Sequence, residues 1–131
     1  MNEKKLSILL VEDSTTGAML IKDMLSDEYD IRVAVHAGDA YRLLHQKLPD
    51  FILLDLMLPD IDGFSILETL KSNKETASIP VIVVSALDDR ATINRAMGLG
   101  AEDYITKPIR PRQLQEHLHK IEKTWRKNLH Q

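Results

Sequence analysis

Apolar residues along this chain gather into short runs of strand length, at 6–11, 31–35, 51–54, 81–84 and 104–105, separated by stretches in which apolar positions recur at helical spacing. The runs that begin at Leu6, Phe51 and Val81 are nearly unbroken, without the alternation of a half-exposed strand. Strands of that kind belong to a parallel sheet covered on both faces. The helical stretches are 14–25, 39–47, 64–72, 89–97 and 111–125. Pro49, Pro80 and the glycines at 98 and 100 stop helices ahead of strands, and Pro111 suits the first turn of the last helix. Five strand–helix units with right-handed crossovers predict an α/β fold, an open, doubly wound, five-stranded parallel sheet with helices on both faces. Five strands are too few for a barrel. One domain is expected over 1–123, with 124–131 as the end of the last helix, a polar tail or a linker toward an effector.

Composition narrows the chemistry. The 131 residues are 44% hydrophobic and 28% charged, the balance of an ordinary globular domain. There is no cysteine, which excludes disulfides and thiolate metal sites and suits a reducing compartment. The start is polar, and no apolar run approaches the roughly 20 residues of a membrane helix, so a cytoplasmic protein without membrane contact is expected. A net charge of -3 gives no general attraction to nucleic acid, and none is expected as a direct partner.

In an open α/β sheet, ligands bind in the crevice at the carboxyl ends of the strands. Here the first strand runs into Glu12 and Asp13, the third into Asp55, the fourth into Ser85, and the fifth into Thr106, Lys107 and Pro108. Two carboxylates about 4 Å apart repel by roughly 4 kcal/mol at an effective dielectric near 20, so three together require a counter-charge. A hard cation such as Mg²⁺ fits an all-carboxylate set, whereas zinc favours histidine or cysteine. Lys107 adds a compact positive charge and Ser85 a hydroxyl, both suited to phosphoryl oxygens.

These residues form a wider pattern. Glu12-Asp13 follows an apolar strand; Leu53-Leu54-Asp55-Leu56-Met57-Leu58-Pro59 precedes Asp62-Gly63; Ser85-Ala86 ends the fourth strand; and Gly100-Ala101 leads through Tyr104 to Lys107-Pro108. From 6 to about 121 the chain resembles the receiver domains of two-component response regulators. That resemblance implies the flavodoxin-like strand order 2-1-3-4-5. It implies Asp55 as phosphoacceptor, Asp13 and Asp55 as direct Mg²⁺ ligands, Met57 contributing its backbone carbonyl, and Glu12 acting through a metal-bound water. Ser85 and Lys107 would grip the phosphoryl oxygens, and the Lys107–Pro108 peptide is expected to be cis. Ser85 and Tyr104 would be the switch, reshaping the face made by 89–97, Tyr104 and the last helix. The implied phosphodonor is a histidine kinase or histidine phosphotransfer protein, and that face would meet an effector or a second copy in a homodimer. No separate substrate turnover is expected. Glu12 stands where aspartate is commoner, Ser85 where threonine is, and the segment after Val35 lacks the usual Asp-Gly turn. Met57 and Leu87, apolar and two residues beyond Asp55 and Ser85, lead to the expectation of slow self-dephosphorylation.

Other polar residues have plainer readings. Asp60, Asp62, Asp88 and Asp89 precede helices and are expected to cap them. His117 and His119 are too close along one helix to share a face, and the five histidines read as surface residues. Leu114, Leu118 and Ile121 form a core-facing stripe, while Trp125 is either late packing or an exposed contact. Gly17 permits close packing in the first helix or a role in docking the kinase. Two rival functions remain. A flavin carrier would use Ser14-Thr15-Thr16-Gly17 as a phosphate loop, but leaves three carboxylates unexplained and has only two Phe and one Trp to hold a ring. An aspartyl-phosphate hydrolase needs an acid two residues after its nucleophile, where Met57 stands.

Overall fold

The computed structural model describes residues 5–129. Strands and helices alternate without exception: β1 (Leu6–Val11), α1 (Thr15–Leu25), β2 (Tyr29–Ala34), α2 (Ala37–Gln46), β3 (Phe51–Leu54), α3 (Gly63–Ser72), β4 (Val81–Ser85), α4 (Arg90–Gly98), β5 (Asp103–Thr106) and α5 (Pro111–Leu129). The five strands pair in parallel in the order β2-β1-β3-β4-β5. This is the expected doubly wound sheet.

Successive strand residues face opposite sides, so each central strand feeds two cores. Ile8 and Leu10 pack with Ile21 and Leu25 of α1 and with Leu114 and Leu118 of α5. Leu9 and Val11 pack on the other side with Ala40 of α2, Ile66 and Leu67 of α3 and Ala96 of α4. Fully burying each Leu or Ile contributes about 1.5–3 kcal/mol, which is why these runs tolerate no polar alternation. The stripe on α5 is buried as its spacing predicts.

The boundaries differ from the sequence reading by two or more residues at three places. β2 begins at Tyr29 because this edge strand alternates a buried Tyr29 with an exposed Asp30, a pattern outside its apolar run. α2 begins at Ala37 because the His36 ring accepts a hydrogen bond from the Asp39 N–H at 3.1 Å, a cap outside the usual Ser, Thr, Asp and Asn set. α5 continues to Leu129, and Trp125 lies edge-on against Phe51 with ring centroids 6.1 Å apart, which makes it a packing residue of the α1/α5 core. Residues 130 and 131 of the anticipated tail lie outside the described residues.

Gly100 closes α4 at φ +109°, a left-handed conformation in which its N–H reaches Met97 O at 3.1 Å and the Ala101 N–H reaches Ala96 O at 3.1 Å. Among the described residues, no helix is long and apolar enough to cross a membrane.

Candidate functional site

Four strands end at one edge of the sheet, and their next residues converge. The Glu12 N–H donates to Ala34 O at 2.9 Å, extending the β1–β2 ladder, so Glu12 turns inward and is 1% exposed while Asp13 faces solvent. The Asp55 N–H donates to Val11 O at 3.0 Å, which places Asp55, 6% exposed, beside Glu12. Glu12, Asp13 and Asp55 each offer a carboxylate oxygen within 4.8 Å of the others, the one such cluster among the described residues.

Lys107 enters from the end of β5. Its Nζ donates to Glu12 Oε1 at 2.5 Å and to Asp55 Oδ2 at 2.9 Å. The other Asp55 oxygen, Oδ1, accepts from the Met57 N–H at 3.0 Å. Burial pushes the Glu12 carboxyl above its ordinary range, and the nearby Asp55 adds to this against the opposing pull of Lys107. Burial works against a charged Lys107, but its hydrogen bonds to Glu12 and Asp55 outweigh that and raise its pKa. Lys107 is therefore a cation facing three carboxylates, and the group remains short of positive charge.

That shortfall defines what the site can hold. The donors are all oxygens, two of the three carboxylates are buried, and no histidine belongs to the cluster, which is the chemistry of Mg²⁺ or Mn²⁺.

The following loop turns tightly. Met57 and Asp62 form an isolated antiparallel bridge, and the Gly63 N–H donates to Leu56 O at 3.0 Å. A Cβ on Gly63 would lie 2.4 Å from Leu56 Cα and 2.9 Å from Asp55 O, so only glycine allows this approach behind Asp55.

Ser85 is fully buried at the end of β4, its Oγ accepting from the Leu87 N–H at 3.2 Å. The Lys107 N–H donates to Ser85 O at 2.9 Å, and the Lys107–Pro108 peptide is cis. Tyr104 is half-buried beside the α2/α3/α4 core, and its hydroxyl donates to Leu87 O at 2.6 Å. Burial raises the Tyr104 pKa, so the hydroxyl stays protonated and able to donate.

Two features lay outside the sequence reading. Leu87 links Ser85 to Tyr104 through its backbone, which its side chain does not announce. Asp60 serves the N-terminus of α2 instead of the helix it precedes, accepting from the Ala37 N–H at 3.1 Å with both carboxylate oxygens. Asp62 and Asp89 do cap their own helices, α3 and α4. His117 pairs with Asp103 and His119 with Glu28, each at the surface of α5. The Ser14 hydroxyl caps α1 by accepting from the Gly17 N–H at 3.1 Å, so the segment proposed for a flavin phosphate loop already uses its leading oxygen. Met57 is 56% exposed where a hydrolase would need an acid.

Comparison with known proteins agrees with this architecture. Response regulator PleD of Caulobacter vibrioides is 38% identical over 103 residues, which are 78% of this chain and 23% of PleD. The chain thus spans about a quarter of that relative's length. The receiver domain protein from Methanospirillum hungatei superposes with a TM-score of 0.86 at 27% identity, covering 95% of this chain and 99% of that one. The Mn²⁺-bound form of response regulator Rcp1 superposes at 0.74 with 29% identity, covering 92% and 94%. Residues 8–119 match the response regulator receiver domain, and this chain belongs to that family.

Proposed function

We propose that Asp55 is the phosphoacceptor of a two-component switch and that Glu12, Asp13 and the Met57 carbonyl complete a divalent-cation site around it. The observation that carries this reading is the meeting of Asp55 with two further carboxylates and with Lys107 at 2.9 Å. Mg²⁺, when bound, supplies the positive charge that lets an anionic carboxylate meet an anionic phosphoryl group. Asp13 and Asp55 would hold it directly, with the Met57 carbonyl as a further ligand and Glu12 acting through a bound water. The Mn²⁺ form of Rcp1, a related protein, supports a divalent ion of this class.

In the transfer, one Asp55 oxygen forms a bond to phosphorus while the bond from phosphorus to the donor's imidazole nitrogen breaks. The leaving electron pair stays on that nitrogen. Lys107 exchanges its contact with Asp55 for the new phosphoryl oxygens, and Ser85 turns its hydroxyl toward them. Catalysis here is positioning plus charge neutralisation. The phosphate adds about -1.5 to -2 charge, and Tyr104 responds through Ser85 and Leu87. The surface of α4, β5 and α5 then meets an effector or a second copy, and the phosphodonor is a histidine kinase or histidine phosphotransfer protein. The work ends at phosphorylation and dephosphorylation of the chain itself.

Intact mass after incubation with a small acyl phosphate and Mg²⁺ tests this reading. The wild type gains one phosphoryl group and Asp55→Asn gains none. Equal gain in both removes Asp55 from the role.

A further inference from the structure

The loop after Asp55 is held at two places. Its base is closed by the Met57–Asp62 bridge. Its tip is pinned to α2, where Asp60 accepts from the Ala37 N–H at 3.1 Å and from the Gly38 N–H at 3.5 Å. The first amides of a helix have no partner within it. His36 satisfies only the Asp39 N–H, so the two amides before it depend on Asp60, a residue 23 positions along the chain. Those amides in turn hold the Asp60 carboxyl below its ordinary range, and it stays charged at the positive end of the helix.

Met57 sits between these anchors. Its N–H donates to Asp55 Oδ1 and it faces Asp62 across the bridge that the Gly63 N–H closes onto Leu56 O, so the direction of its free carbonyl depends on where the loop tip is fixed.

We propose that Asp60 is a positioning residue for the cation site: by clasping the loop to α2, it holds the Met57 carbonyl where the cation requires it. This inference rests on the reading of Asp55, Asp13 and Met57 as the ligand set. It makes the α2 N-terminus part of the site's support. Cation binding and order at Ala37 and Gly38 then favour each other.

Calorimetric titration of Mg²⁺ into the wild type, Asp60→Asn and Asp60→Ala tests the clasp, with amide hydrogen exchange at Ala37 and Gly38 as a second readout. Asp60→Ala weakens Mg²⁺ binding about tenfold, the lower end of the cost of losing an outer partner of a metal ligand. Asp60→Asn, which still accepts hydrogen bonds, loses less. The rate of phosphorylation at saturating Mg²⁺ is unchanged in both, while the Mg²⁺ needed for half the rate rises. In the wild type, Mg²⁺ slows exchange at Ala37 and Gly38. If both variants bind Mg²⁺ as the wild type does while Asp13→Asn does not, the ligand set stands and the clasp is overturned. If Asp13→Asn also binds normally, the ligand set itself falls, and the clasp with it.

Discussion

The Tyr104 hydroxyl donates to the carbonyl of Leu87 at 2.6 Å, and the N–H of that same residue donates to Ser85 Oγ at 3.2 Å. The backbone of one residue thus joins a buried hydroxyl at the end of β4 to an aromatic ring near the surface. A shift of Ser85 toward a phosphoryl group gives up its own bond from the Leu87 N–H and, by freeing that backbone, releases the Tyr104 bond to the Leu87 carbonyl.

Tyr104→Phe removes the hydroxyl from this relay. In the unphosphorylated protein the loss is about 1 kcal/mol, the worth of a typical intramolecular hydrogen bond. Denaturant unfolding before and after phosphorylation measures it. The deficit shrinks once the phosphate is present, because the bond to Leu87 is already surrendered. An equal deficit in both states contradicts the relay.

Lys107→Met leaves Glu12 buried beside Asp55 without its ammonium partner. At neutral pH this costs roughly 2–3 kcal/mol, somewhat less than breaking a deeply buried ion pair, since Lys107 is 27% exposed. Glu12 has a raised pKa in the folded state, so the folded protein takes up this proton before the unfolded one does as pH falls. The variant therefore recovers stability as pH is lowered toward the ordinary glutamate value of 4.5, and loses it again as pH rises through the folded value. Mg²⁺ at neutral pH also restores it. A deficit that stays constant between pH 7 and 5 runs against this account.

Met57→Asn with Leu87→Asn places amides near Asp55 and Ser85, where they can orient a water toward the acyl phosphate. Loss of the phosphoryl group, followed by mass, speeds several-fold in this variant. No change refutes the proposal that apolar flanks prolong the phosphorylated state.

Ending the chain after Lys123 removes Trp125, whose ring packs edge-on to Phe51 at the start of the strand that leads to Asp55. The truncated protein loses roughly 2–3 kcal/mol, below the cost of deleting a fully buried tryptophan. Unfolding of the truncated chain and of Trp125→Ala gives similar losses if α5 belongs to the domain through this turn. A neutral truncation shows that the domain ends before it.

The strands that frame the site were legible because β1, β3 and β4 are buried on both faces, which leaves apolar runs of four to six residues, too short for a buried helix. Glu12, Asp55 and Ser85 stood out for a related reason: each is the first polar residue after such a run, while Lys107 stood out as the charge that follows Thr106 at the end of β5. The start of α2 was hidden because histidine is an uncommon cap. The partner of Asp60 was hidden because the amides it serves are brought near only by the crossover from β2 through α2 to β3. Leu87 carries its role in its peptide group, which every residue has, so nothing in its identity marks it.

The most direct test of the central claim locates the phosphate. Borohydride reduces an aspartyl phosphate to homoserine, and peptide mass mapping of the phosphorylated, reduced protein then reads which position changed. Homoserine at position 55 and at no other carboxylate is the expected result. Homoserine at Asp13, or a phosphate that resists borohydride, would contradict the assignment of Asp55.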